Sequence, residues 1–84
     1  MFTSESCGPC GWLKATFDLV RADLREQFKF VEVAVEDELD LAAALGIRSV
    51  PTVLLMQFGI VVSRFTGAVR VETLTDYLEA ALSA

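Results

Sequence analysis

Two cysteines stand three positions apart in the run Cys7-Gly8-Pro9-Cys10, and the chain of 84 residues has no other cysteine and no histidine. A closed zinc site takes four ligands, mostly thiolate or imidazole, so this pair alone falls short of one. The spacing instead lets the two sulfurs close into a disulfide and reopen. A thiol attacks a disulfide only as its thiolate, and the unpaired N–H groups of a helix N-terminus favour that form. Cys7 is expected at such a terminus. Gly8 permits a tight turn after it, and Pro9 fits a first helical turn, where its missing N–H is no loss. Cys10, one turn further in, is expected to be more enclosed and to keep its proton until it resolves a mixed disulfide. The expected order is attack by Cys7 and release by Cys10. A static structural disulfide is the other reading of the same pair.

Periodicity predicts the elements that must hold this pair. From Pro9 to about Gln27, Leu13, Phe17, Val20, Leu24 and Phe28 recur every three or four residues among charged ones, which predicts an amphipathic helix. Lys29 to Val35 alternates, with Val31, Val33 and Val35 on one face, and predicts a strand buried on both sides. Asp37 to Leu45 predicts a short helix with Leu39, Ala42 and Leu45 inward, stopped by Gly46. Thr52–Gln57 and Ile60–Phe65, parted by Phe58-Gly59, predict an antiparallel hairpin, and Val71, Leu74, Leu78 and Leu82 mark a closing helix. Met1 to Ser4 supplies only a stub of strand before the first helix. This order predicts an α/β fold in one domain, 1–84, with a mixed four-stranded sheet and helices on both faces. The stub is short for a central strand, so either the sheet frays there or a partner chain completes it, as in a homodimer through the short first strand.

Composition narrows the partners. The net charge is −5, and the seven basic residues are scattered, which argues against nucleic acid and against anionic membrane surfaces. Apolar runs stay far below the ~20 residues needed to span a bilayer. Met1-Phe2-Thr3 leads almost directly to Cys7, leaving no room for a signal peptide, so the expected compartment is the cytoplasm, where such a cysteine pair is more often catalytic than a staple. Glu36, Asp37, Glu38 and Asp40 read as a solvated helix start that suits the helix dipole.

Cys7-Gly8-Pro9-Cys10 resembles the active site of the thioredoxin family. Gly46-Ile47-Arg48-Ser49-Val50-Pro51-Thr52, the hairpin through Gly59, Gly67-Ala68 and the last helix resemble it too, in order and spacing, so that Phe2 to Ala84 is covered. The resemblance implies a three-layer α/β/α thioredoxin-like fold in a minimal version that lacks the family's first strand and helix. It implies a cis Val50-Pro51 bond lying against the Cys7-Cys10 disulfide and keeping metal ions from the thiols. It also implies a substrate groove formed by Ser49, Val50 and Pro51 on one side and Thr66, Gly67 and Ala68 on the other. An extended substrate strand would pair with the Val50 backbone.

The sequence departs from the family where a Trp usually precedes the first cysteine and a Lys follows the second; Ser6 and Gly11 stand there. Trp12 is the candidate replacement contact for substrate. Met1 falls where the family has a buried acid that takes the proton of the resolving cysteine. Glu32, which interrupts an apolar strand, is the candidate to replace it, provided that its carboxyl is buried. The resulting expectation is a protein disulfide reductase that needs no cofactor beyond its own cysteines and is recycled by a reductase of the thioredoxin-reductase type. Three rivals are kept: a thioredoxin-like binding or scaffold subunit, a glutaredoxin-like reductase using glutathione, and a zinc or iron–sulfur site shared by two chains.

Overall fold

In the computed structural model, which describes residues 1–83, the apolar spacing of the first long segment is realised as a helix. Helix α1 spans Gly8–Leu24, with Cys7 at its N-cap, Pro9 in its first turn and Leu13, Phe17 and Val20 buried on one stripe. The chain leaves it through a turn in which Gln27 and Phe28 donate back to the Leu24 carbonyl. The strands are β1 (Phe2–Thr3), β2 (Val33–Ala34), β3 (Thr52–Gln57) and β4 (Ile60–Thr66), and the other helices are α2 (Leu39–Ala44) and α3 (Val71–Leu82). A single 3-10 turn, Val35–Asp37, joins β2 to α2.

The sheet has the order β2-β1-β3-β4 and is mixed: β1 runs parallel to β2 and antiparallel to β3, and β3 and β4 form the hairpin. Phe58 and Gly59 turn that hairpin with φ of 54° and 77°, two successive left-handed residues of the kind that match strand twist in a tight turn. Alternation along β3 assigns the two faces. Val53 and Leu55 join Met1, Leu13, Phe17, Val20, Leu74 and Leu78 in the core, beneath α1 and α3, which pack on each other. Leu54 and Met56 point the other way, to the face on which α2 lies. Arg64 of β4, opposite Leu54, donates to the Leu45 carbonyl at 2.7 Å and the Gly46 carbonyl at 3.5 Å, capping the C-terminal end of α2. The architecture is the expected three-layer α/β/α arrangement.

Four expectations are corrected. The strand predicted over Lys29–Val35 shortens to two residues, and Val31 is 50% exposed rather than buried on both sides. Among the described residues no strand pairs with the outer edge of β2, while Phe28 and Phe30 turn to pack edge-on against each other and, through Phe30, against Phe17. Leu39, expected inward, is 68% exposed, because a six-residue helix offers one buried position, Ala42, with Leu45 half-buried beside it. Leu82, at the far end of α3, is likewise exposed. The short first strand, finally, is not frayed: it is paired on both sides within the chain, with β2 and β3, and presents no free edge of its own. The free edges belong to β2 and β4. An open groove of about 720 Å³ is lined from both faces of the sheet, by Phe2, Val31, Leu41 and Leu54 and by Phe17, Phe30, Leu55 and Leu74.

Candidate active site

The register of the strands gathers the predicted site at one end of the sheet. Strand β1 exits there towards Cys7; Thr52, the first residue of β3, lies opposite Phe2; and Thr66, the last of β4, lies opposite Thr52. Cys7–Cys10, Ser49–Pro51 and Thr66–Ala68 therefore all flank that end.

Cys7 and Cys10 are joined by a disulfide, with Cα atoms 5.4 Å apart. Ser4 accepts the Cys7 N–H at 3.2 Å, which folds the approach to the helix, and Cys7 Sγ accepts the Cys10 N–H at 3.2 Å. The Cys7 sulfur thus occupies the N-cap acceptor position that a serine or aspartate oxygen commonly fills. When the pair is reduced, that N–H and the helix terminus stabilise negative charge on Cys7. Cys10 is buried, whereas Cys7 is half-exposed and Gly8 and Pro9 are at the surface. Access to the two sulfurs is therefore unequal.

The Val50-Pro51 peptide bond is cis, and Pro51 is among the most deeply buried residues. Ser49 is exposed and accepts the Thr52 hydroxyl at 2.7 Å, and Val50 is half-buried. Gly67, at φ +92° in the left-handed region that glycine tolerates best, donates its N–H to the Pro51 carbonyl at 2.9 Å. This bond brings the two expected walls of the groove together. Thr66 and Ala68 are exposed beside it.

Trp12 is 77% exposed, two residues beyond Cys10. It lines an open cleft of about 470 Å³ with Thr16, Ala68, Val69, Arg70 and Thr73. Sequence reasoning missed Thr16, Arg70 and Thr73. Thr16 carried a signal, because it is a hydroxyl on the otherwise apolar stripe of α1; its hydroxyl donates to the Val69 carbonyl at 3.0 Å and holds the Gly67–Arg70 loop against the active-site helix.

Glu32 does not replace the buried acid. It is exposed and accepts from Lys14 Nζ at 2.9 Å, and that partner raises the Lys14 pKa. The reason is the position of β2 at the edge of the sheet. Met1, where the family acid would lie, is buried among apolar core residues. Before Cys7, the Glu5 N–H donates to a Glu36 carboxylate oxygen at 2.9 Å and lowers the Glu36 pKa.

A family model described as thioredoxin matches residues 1–80. The chain is 35% identical over 78 residues to a thioredoxin of Griffithsia pacifica, covering 93% of this chain and 72% of that protein. It is 32% identical over 82 residues to a thioredoxin of Porphyra purpurea, covering 98% and 77%. The crystal structure of chloroplastic thioredoxin z superposes with a TM-score of 0.88 at 22% identity, over 99% of this chain and 75% of that one; at that identity it bears on the fold. With a cysteine pair joined at the start of a helix in the matching fold, this chain belongs to the thioredoxin family of thiol-disulfide oxidoreductases.

Proposed function

We propose that this protein reduces disulfides in other proteins, with Cys7 as nucleophile and Cys10 as resolving thiol. The Cys7 thiolate attacks one sulfur of a substrate disulfide; a Cys7–substrate disulfide forms and the other substrate sulfur leaves as a thiolate. Cys10 then loses its proton and attacks Cys7 Sγ, which forms the Cys7–Cys10 disulfide and releases the second substrate thiol. Two electrons pass from the dithiol to the substrate, and a reductase of the thioredoxin-reductase type returns them. The reading assigns the protein to the cytoplasm and gives it no cofactor beyond its cysteines. The observation that carries the order of attack is the Cys10 N–H donated to the Cys7 sulfur while Cys10 itself is 5% exposed. Ser49, Val50 and Pro51 would receive an extended substrate strand on one side and Thr66, Gly67 and Ala68 would bound it on the other.

Two experiments test this. Cys10→Ser should trap a mixed disulfide with a protein substrate, and Cys7→Ser should trap none; the reverse pattern would overturn the assignment. The equilibrium reduction potential, titrated against a thiol buffer and read by alkylation and mass, should fall near the thioredoxin value of about −270 mV. A potential of about −200 mV or higher would replace this reading with a glutaredoxin-like or oxidising role. Failure of the cysteines to form an internal disulfide in solution would replace it with a binding or scaffold role.

A further inference from the structure

We infer that the cleft between Trp12 and Arg70 is a specificity subsite, which reads a carboxylate side chain carried by the substrate close to its reactive disulfide. The inference rests on the reductase reading above and adds to it which substrates react fastest.

The cleft begins two residues beyond Cys10 and is open to solvent along its length. Its floor is fixed: the Thr16–Val69 hydrogen bond ties the loop to α1, and the Gly67–Pro51 bond ties the same loop to the substrate-facing proline. Trp12, Arg70 and Thr73 line the cleft together with Thr16, Ala68 and Val69. A tryptophan 77% exposed gives up most of the burial that an indole usually finds in a fold, so it presents an apolar platform to a visitor. Arg70 makes no ion pair among the described residues, unlike Lys14 and Arg21 on the flank of α1, which are taken by Asp18 and Glu32.

Nor does the Arg70 side chain cap its own helix. It stands at the N-cap of α3 with no side-chain cap, where a serine or aspartate would stabilise the helix by about 1 kcal/mol. Its fork of N–H donors suits a carboxylate in the two-point geometry that gives arginine its selectivity. A glutamate from the substrate would lay its methylenes on Trp12 and its carboxylate on Arg70, with the Thr73 hydroxyl within the same cleft. Glu5 and Glu36, on the approach to Cys7 and after β2, lie outside the cleft lining, so Arg70 is the charged side chain that a visiting carboxylate meets there. In a chain of net charge −5, Arg70 supplies the positive charge that lines this cleft.

The test uses short peptides with one reactive disulfide, each bearing a single Glu at successive positions on either side of the attacked cysteine, with Gln and Lys counterparts. Second-order rates of reduction by the reduced protein are measured at low and high salt. At the position that reaches the cleft, Glu should react roughly two- to fivefold faster than Lys, the range of a solvent-exposed ion pair, and the ratio should shrink with salt. Arg70→Gln should abolish the preference and Arg70→Glu should reverse it, with the reduction potential unchanged. Trp12→Ala should slow the Glu and Gln peptides together. Arg25→Glu, the same change of charge at the far end of α1, should leave the preference intact.

Equal rates for Glu and Lys at every position would overturn the subsite while leaving the reductase reading standing. So would a preference that Arg25→Glu removes as well as Arg70→Glu, or a potential that moves with Arg70→Glu. Failure to reduce any peptide would instead refute the reductase reading itself.

Discussion

Leu13→Ala is the sharpest probe of how the active-site helix is held. Leu13 lies one turn beyond Cys10 and is fully buried in the cluster with Phe17, Val53, Leu74 and Leu78. Truncation removes three carbons, worth about 2.4 kcal/mol of transfer free energy at ~0.8 kcal/mol each. Because both α3 and the sheet press on this site, little collapse is available, and the cavity term brings the loss to about 3–4 kcal/mol. A domain of this size is stable by only about 4–13 kcal/mol in all. The melting temperature should fall by about 12–30 °C, at roughly 4–8 °C per kcal/mol. Urea titration of the oxidised protein, followed by circular dichroism at two protein concentrations, gives the stability and separates folding from any association through the open groove. Leu19→Ala is the internal control: that residue, on the same helix, is 61% exposed and should cost less than about 0.5 kcal/mol. A loss below about 1 kcal/mol for Leu13→Ala, or equal losses for the two variants, would refute the packing described for α1.

Two further outcomes follow from named contacts. Thr16→Val keeps the shape but strands the Val69 carbonyl, so stability should drop by about 1 kcal/mol and amides of the Gly67–Arg70 loop should exchange faster; unchanged exchange in that loop would show that the hydrogen bond does not hold it. Glu36 has its pKa lowered from 4.5, chiefly by the Glu5 N–H, so the charged carboxylate is favoured in the fold. That contribution is complete above the unfolded value and is lost as pH falls through the folded one. The stability gap between wild type and Glu36→Gln should therefore close on acidification below pH 4.5, and a gap that stays constant would refute the assigned bond.

The edge strand β2 and the site at the end of the sheet illustrate two different relations between a pattern and a fold. The cysteine pair, the hairpin turn at Phe58-Gly59 and the two long helices are local: their chemistry lies within a few neighbouring residues, and each sits where the spacing predicts. Strand β2 is not local in this sense. Its alternation is real, but alternation reports which residues share a face and not whether anything covers that face. With no strand beyond β2 among the described residues, Val31 stays exposed, and Glu32 meets Lys14 instead of a dry interior.

By itself the sequence determined the chemistry and much of the frame. Two thiols at the start of a helix define a disulfide exchange, and apolar periods of about 3.6 and 2 residues define which segments are helices and strands. Tertiary structure alone decided what surrounds that chemistry. It buried Cys10 and left Cys7 accessible, joined Gly67 to Pro51, and set Trp12 beside Arg70 across one cleft. These relations depend on strand register and helix packing between residues far apart in the chain, where no local period carries information. Burial and juxtaposition are properties of the closed sheet and its covering helices, and they exist only once the chain has folded.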